Sequence, residues 1–297
     1  MSSIRGRRRR LVALATLLVA GFLTWSVVAN GSLIPGYGGY GGYGTPVTNY
    51  PYGKAIQNLP GCGDHVLAAN DDSSTGQVAL PFTLRFYGEE YSSLYVNNNG
   101  NVTFDAPRRT YTPYDFTTTS EPMIAPFLAD VDTRPLGSGV ATYGATTVDG
   151  KPAFCVNWLR AGYFPSRTDK LNSFQMLLIQ QGTTGDFDIV LNYDQVQWET
   201  GSASGGTNGF GGTPAAVGWA AGDGVPGHSW VKPGSFTTRA LLDENTTTGL
   251  VHQSAGGSVA GRYSFSVVNG PVTGHAISGQ VTSDGSPVPL APVQICP

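Results

Sequence analysis

The stretch Leu80–Arg134, LPFTLRFYGEEYSSLYVNNNGNVTFDAPRRTYTPYDFTTTSEPMIAPFLADVDTR, decides how the rest of the chain is read. An apolar and aromatic run, Val78–Tyr87, leads into it, and Pro81 is tolerated there at a strand start or edge. Leu94–Val96 and Val102–Phe104 then flank Asn97-Asn98-Asn99-Gly100-Asn101. Asn and Gly accept positive φ, so this segment predicts a β-hairpin. Met123–Phe127 reads as a short buried strand interrupted by Pro126, and Asp130 and Asp132 follow it closely.

Outward from that stretch the pattern repeats. Val140–Val148 and Ala153–Leu159 bracket Asp149-Gly150, which predicts a second hairpin with a two-residue turn. Phe174–Gln180 is apolar on both faces and predicts a central strand. Phe187, Ile189, Leu191 and Tyr193 alternate with Asp188, Val190 and Asn192, the period of a half-buried strand. Ala215–Ala221 and Tyr263–Val267 supply two more. Composition agrees: 12% charged residues with 41 Gly and 20 Pro among 297 residues favours short strands joined by many turns. Beyond the N-terminus no stretch combines an apolar 3.6-residue period with good helix formers over three turns. The prediction is an all-β body, an antiparallel β-sandwich over residues 55–270.

The flanks differ in character. Met1–Arg10 carries five arginines, and Leu11–Ala29 is uncharged and apolar. Val27-Val28-Ala29 offers small residues for cleavage, so residues 1–29 predict a secretory signal peptide or an uncleaved membrane anchor. Either assignment exports the body. Residues 30–54 contain PGYGGYGGYGTPVTNYPYG, a Gly/Tyr-rich linker with too little aliphatic surface to offset its ordering entropy. After Gly270, His275–Ile295 shows a strand, the turn Ser283-Asp284-Gly285-Ser286 and a second strand, so residues 271–297 are expected to be a truncated β module or a tail. That segment resembles the opening hairpin of a transthyretin-like or carboxypeptidase-regulatory-like module.

Chemistry is sparse in the sequence. Net charge is −3, and five of the basic residues lie in the first ten positions. The body is therefore acidic, which argues against nucleic-acid partners. The histidines His65, His228, His252 and His275 are scattered, with no GxSxG elbow and no HExxH pair. The loop Gly201–Gly212 has no lysine and precedes no helix, so it is no phosphate cradle. Asp64, Asp71 and Asp72 cluster in a polar loop, and Asp130 and Asp132 sit two apart, where on a strand they share a face and repel unless bridged. Two readings stand for these carboxylates: calcium ligands, or Asx turn caps and ion-paired anchors satisfied by Arg134 or backbone amides. Cys62 and Cys155 are candidates for one disulfide, leaving Cys296 odd. Tyr87, Tyr91, Tyr95, Tyr111, Tyr114, Trp158, Trp198, Trp219 and Trp230 are candidates either for a glycan-stacking face or for the sandwich core. Asn30, Asn101 and Asn245 lie in N-x-[ST] sequons.

Taken together, Phe86-Tyr87-Gly88, the run Leu94–Gly100 and Ala125-Pro126-Phe127-Leu128-Ala129-Asp130-Val131-Asp132 resemble the nidogen-like (NIDO) domain. The likeness extends from Leu80 to Val268, strongest through Arg134, with Leu128 where the family often has Trp. The resemblance implies an extracellular, non-enzymatic module of cell–matrix adhesion or matrix assembly. The expected partner is an extracellular protein or glycan, with no cofactor unless calcium binds, and with membrane contact only through an uncleaved N-terminal segment. It carries over no catalytic residue. The rival expectations are a secreted polysaccharide hydrolase using Asp130 or Asp132, and a self-associating coat protein.

Overall fold

The computed structural model describes residues 43–52, 54–268 and 270–273, together with the pairs 282–283 and 286–287. The expected signal peptide or anchor lies outside the described residues, as does almost all of the C-terminal segment. In that segment, Thr282–Ser283 and Ser286–Pro287 pair antiparallel across the expected turn.

Thirteen strands build the body: β1 His65–Val66, β2 Val78–Phe86, β3 Glu89–Asn97, β4 Asn101–Thr103, β5 Met123–Leu128, β6 Ala141–Val148, β7 Lys151–Tyr163, β8 Arg167–Gln181, β9 Asp186–Val196, β10 Ala216–Ala220, β11 Ser229–Val231, β12 Arg262–Val267 and β13 Val272–Thr273. They form two antiparallel sheets, ordered β1-β6-β7-β8-β9-β12-β13 and β11-β10-β5-β4-β3-β2. The antiparallel β-sandwich expected from the turn-rich composition is the observed architecture.

Both hairpins form where the turn chemistry places them. Asp149 and Gly150 take φ of 50° and 77°, and Val148 pairs with Lys151. Asn97 pairs with Asn101, enclosing Asn98-Asn99-Gly100. A third tight turn, Tyr87-Gly88, joins β2 to β3. Prolines fall at ladder faults, as the missing amide requires. The β2–β3 register shifts between Ala79 and Leu84, around Pro81. The β5–β10 register shifts where Pro126 and Phe127 oppose Val217, so Pro126 interrupts the ladder without ending the strand.

The core lies between the sheets, where Phe86 meets Phe187, Phe127 meets Phe174 and Trp219 meets Phe265. Strand β8 is central in its sheet, and its side chains explain the two-faced apolar run. Phe174, Met176 and Leu178 enter the main core, while Leu177 and Ile179 join Cys62, Ala153, Cys155 and Val190 on the opposite face. The segment before β1 covers that outer face. Gln57 and Gln175 exchange backbone–amide hydrogen bonds, and a Cys62–Cys155 disulfide with Cα atoms 5.2 Å apart fastens the cover.

The expected linker, residues 30–54, ends within the described region. Gly44 donates to the Thr133 and Arg134 carbonyls, and Tyr50 donates through its hydroxyl to Asp194. These residues therefore run along the sandwich instead of leading loosely up to it. Their tyrosines and backbone find partners that no local sequence pattern announces.

Candidate functional site

The end of the sandwich where β3 turns into β4 gathers most of the polar residues singled out in the sequence. Asn97, Asn98, Asn99 and Asn101 are all buried. Asn97 donates to Asn101 and Thr103 and accepts from Ser74 and the Arg108 amide. Asn98 donates to the carbonyls of Asp71 at 2.5 Å and Val131 at 2.6 Å, and accepts from Thr133. Asn99 donates to Asp72 Oδ1 at 2.9 Å and accepts from the Val131 amide. The hairpin tip thus stitches the loop after β1 to the segment after β5. Gly100 makes the close approach possible: at φ +72°, a Cβ there would stand 1.9 Å from the Phe127 carbonyl oxygen. Burial also removes Asn101 as a glycan acceptor in the folded chain, whichever host makes it.

Five aspartates were candidates for calcium, and the fold sorts them. Asp64 is exposed on the turn before β1 and stands outside the acidic group. Asp132 is fully buried but fully served: Arg134 grips it with Nε at 2.9 Å and an Nη2 atom at 2.7 Å, and the Ser166 amide adds a bond at 2.8 Å.

Asp71, Asp72 and Asp130 come together instead, one carboxylate oxygen from each lying within 4.8 Å of the other two. Asp130 is 2% exposed, and its Oδ2 has no hydrogen-bond partner among the described residues. Asp71 Oδ1 is likewise buried without a partner, while its Oδ2 meets Arg134 at 3.1 Å. The turn cap in this loop is Asn70, whose Oδ1 accepts from the Ser73 amide, so capping does not account for Asp71 or Asp72. Burial, then the charges of Asp71, Asp72 and Asp132, push the Asp130 carboxyl up to about 7 against a smaller opposing contribution from the Ala203 amide. Burial and the charges of Asp132 and Asp72 push Asp71 up to about 6, opposed by Arg134. Gly201 closes the site from the other side, with no room for a Cβ, which would fall 2.2 Å from Asp130 Oδ2. Thr200, the residue before it, keeps a buried hydroxyl with no partner among the described residues.

The aromatic candidates divide by burial. Trp158 and Trp198 are core, their indole N–H groups satisfied by the Asn98 and Ala161 carbonyls. Tyr91, Tyr95 and Tyr114 are half-buried, and Tyr111 is exposed. Trp219 and Trp230 stack at 4.6 Å beside Phe265, and Trp219 donates to the Tyr87 hydroxyl at 3.1 Å. With Val225, Phe236 and Val272 these rings line an open aromatic groove along β10 and β11. Strand β11 escapes sequence reading because three residues after a Gly/Pro-rich loop give no period to detect.

The described histidines are engaged separately. His65 stacks on Tyr143, His228 pairs through Nδ1 with Asp223 at 2.6 Å and packs on Tyr87, and His252 meets the Asp243 carbonyl. His275 lies outside the described residues. None of these pairings joins a histidine to Asp130 or Asp132.

The fold and the site define a two-sheet antiparallel β-sandwich whose Asn/Gly hairpin is locked against an ADVD segment. The chain belongs to the nidogen-like domain family, whose model matches residues 92–269. It is similar to alpha-tectorin of Homo sapiens, 30% identical over 226 residues, covering 66% of this chain and 10% of that protein. It is also similar to nidogen-2 of Mus musculus, 38% identical over 115 residues, covering 38% of this chain and 8% of that protein. Nidogen of Drosophila melanogaster is 27% identical over 209 residues, covering 62% of this chain and 15% of the relative. The chain thus spans a small part of the length of these relatives. No solved structure matches it.

Proposed function

We propose that this chain is an exported, non-enzymatic adhesion or interaction protein whose nidogen-like sandwich binds an extracellular protein or glycan. The observation that carries the reading is the family match across residues 92–269, which takes in β4 to β12 and so draws on both sheets of the sandwich. Family membership alone would be an argument by analogy, so the surface chemistry matters too. The groove at Trp219, Trp230 and Phe265 presents ring faces suited to stacking on a sugar or an apolar side chain. The disulfide between Cys62 and Cys155 suits an oxidising compartment. Residues 1–29 deliver the body outside, as a cleaved leader or as an anchor. The test is binding of the purified chain to whole cells, immobilised matrix proteins and glycans. Saturable binding without release of soluble product supports the reading, whereas sugar or peptide release without binding puts a hydrolase in its place.

A further inference from the structure

We propose that Asp71, Asp72 and Asp130 hold a calcium ion that ties the loop after β1 to the end of β5. Three carboxylates share one small volume, and the cation that meets them among the described residues is Arg134, which bonds Asp71 and divides itself with Asp132. An independent observation points to a ligand. Asp130 is 2% exposed, its carboxylate is turned toward Asp71 and Asp72, and its Oδ2 has no partner among the described residues. A buried carboxylate oxygen without a donor is costly, and neighbouring negative charge makes it more so, unless a cation shares the site.

The donor set selects the ion. All three groups are carboxylates, without histidine or cysteine, which disfavours zinc and other borderline or soft metals. Ligand oxygens at about 2.4 Å from one calcium are separated by at most about 5 Å, against about 4 Å around magnesium. Oxygens within 4.8 Å of one another are compatible with a calcium sphere. The scaffold is held in advance: Asn99 fixes Asp72 Oδ1, Asn98 holds the Asp71 carbonyl, and the Phe164 amide binds the Asp130 carbonyl. Gly201 packs directly against the Asp130 carboxylate, where any Cβ would stand 2.2 Å from Oδ2.

The test does not depend on the adhesive reading, because its readout is stability and ion uptake. Thermal unfolding of the full chain is followed in 10 mM calcium chloride, in 10 mM magnesium chloride and in EDTA, with direct calcium titration by calorimetry. An extracellular-type affinity predicts one saturable site and a Tm about 3–8 °C higher in calcium than in EDTA, with a smaller response to magnesium. Asp130→Asn and Asp72→Asn should each abolish calcium uptake and the Tm rise, while Asp64→Asn, outside the group, should keep both. In EDTA, Asp130→Asn should unfold at or above the parent's Tm, since it removes an uncompensated buried charge; this separates lost binding from lost folding. Equal Tm in calcium and EDTA would overturn the proposal, as would calcium uptake that survives Asp130→Asn. An equal response to magnesium would overturn the assignment to calcium.

Discussion

At the scale of single residues, the hairpin tip carries the sharpest consequences. Gly100 combines positive φ with a carbonyl where a Cβ would sit. Gly100→Ala is therefore expected to cost more than about 2 kcal/mol, measured as a lower urea midpoint at unchanged m-value. Asn98 bridges two carbonyls and a threonine hydroxyl from a buried position. Asn98→Ala should cost about 2–4 kcal/mol through unpaired buried carbonyls. Asn98→Asp should cost more than Ala, because a carboxylate would then face the Asp71 and Val131 carbonyl oxygens. If Asp proves as stable as Asn in the same urea series, the network assigned to this residue is wrong. The turn itself was legible from Asn and Gly preferences. The burial of its asparagines was not, since φ preference says nothing about what later packs over a turn.

At the scale of elements, alternation and turn chemistry located most strands and both hairpins. Strands β7 and β8 run past the predicted Ala153–Leu159 and Phe174–Gln180 into polar ends such as Arg160 and Asp169-Lys170, whereas Asn157, Gln175 and Asn192 fall inside the predicted strands. They lie beneath the segment before β1, where Asn192 donates to Gln175 and Asn157 donates to the Cys62 carbonyl. A sheet face covered by irregular chain has no sequence period of its own. That cover leads to a prediction about the disulfide, which closes a separation of 93 residues. Replacing both cysteines by serine should lower stability by about 2–4 kcal/mol. It should also raise amide exchange on the outer face of β7 and β8 more than in β3 or β4. Uniform acceleration across both sheets would contradict a local role for the cover. In the intact chain, the slowest amides should lie in Phe174–Ile179, central in the sheet and buried on both faces.

At the scale of the whole molecule, the fold class was legible and the assembly of the acidic site was not. Asp130 and Asp132 are neighbours in sequence, yet one joins Asp71 and Asp72 while the other is taken by Arg134 and Ser166. That division depends on a loop some sixty residues upstream meeting the end of β5, a long-range contact that spacing does not encode. The aromatic candidates were sorted in the same way. Trp158 and Trp198 went to the core and Trp230 to an open groove, by which sheet face each strand presents. What the two sheets build is a sandwich with an aromatic groove along one sheet and an acidic, asparagine-stitched end. Its described histidines make local contacts unrelated to Asp130. The measurement that tests this account most directly is equilibrium binding of the purified chain to intact cells and to immobilised matrix proteins and glycans, with soluble products assayed in the same wells. The account predicts saturable, reversible binding to at least one surface with no released sugar or peptide. Failure to bind any of these surfaces, accompanied by product release that grows with time, would contradict it.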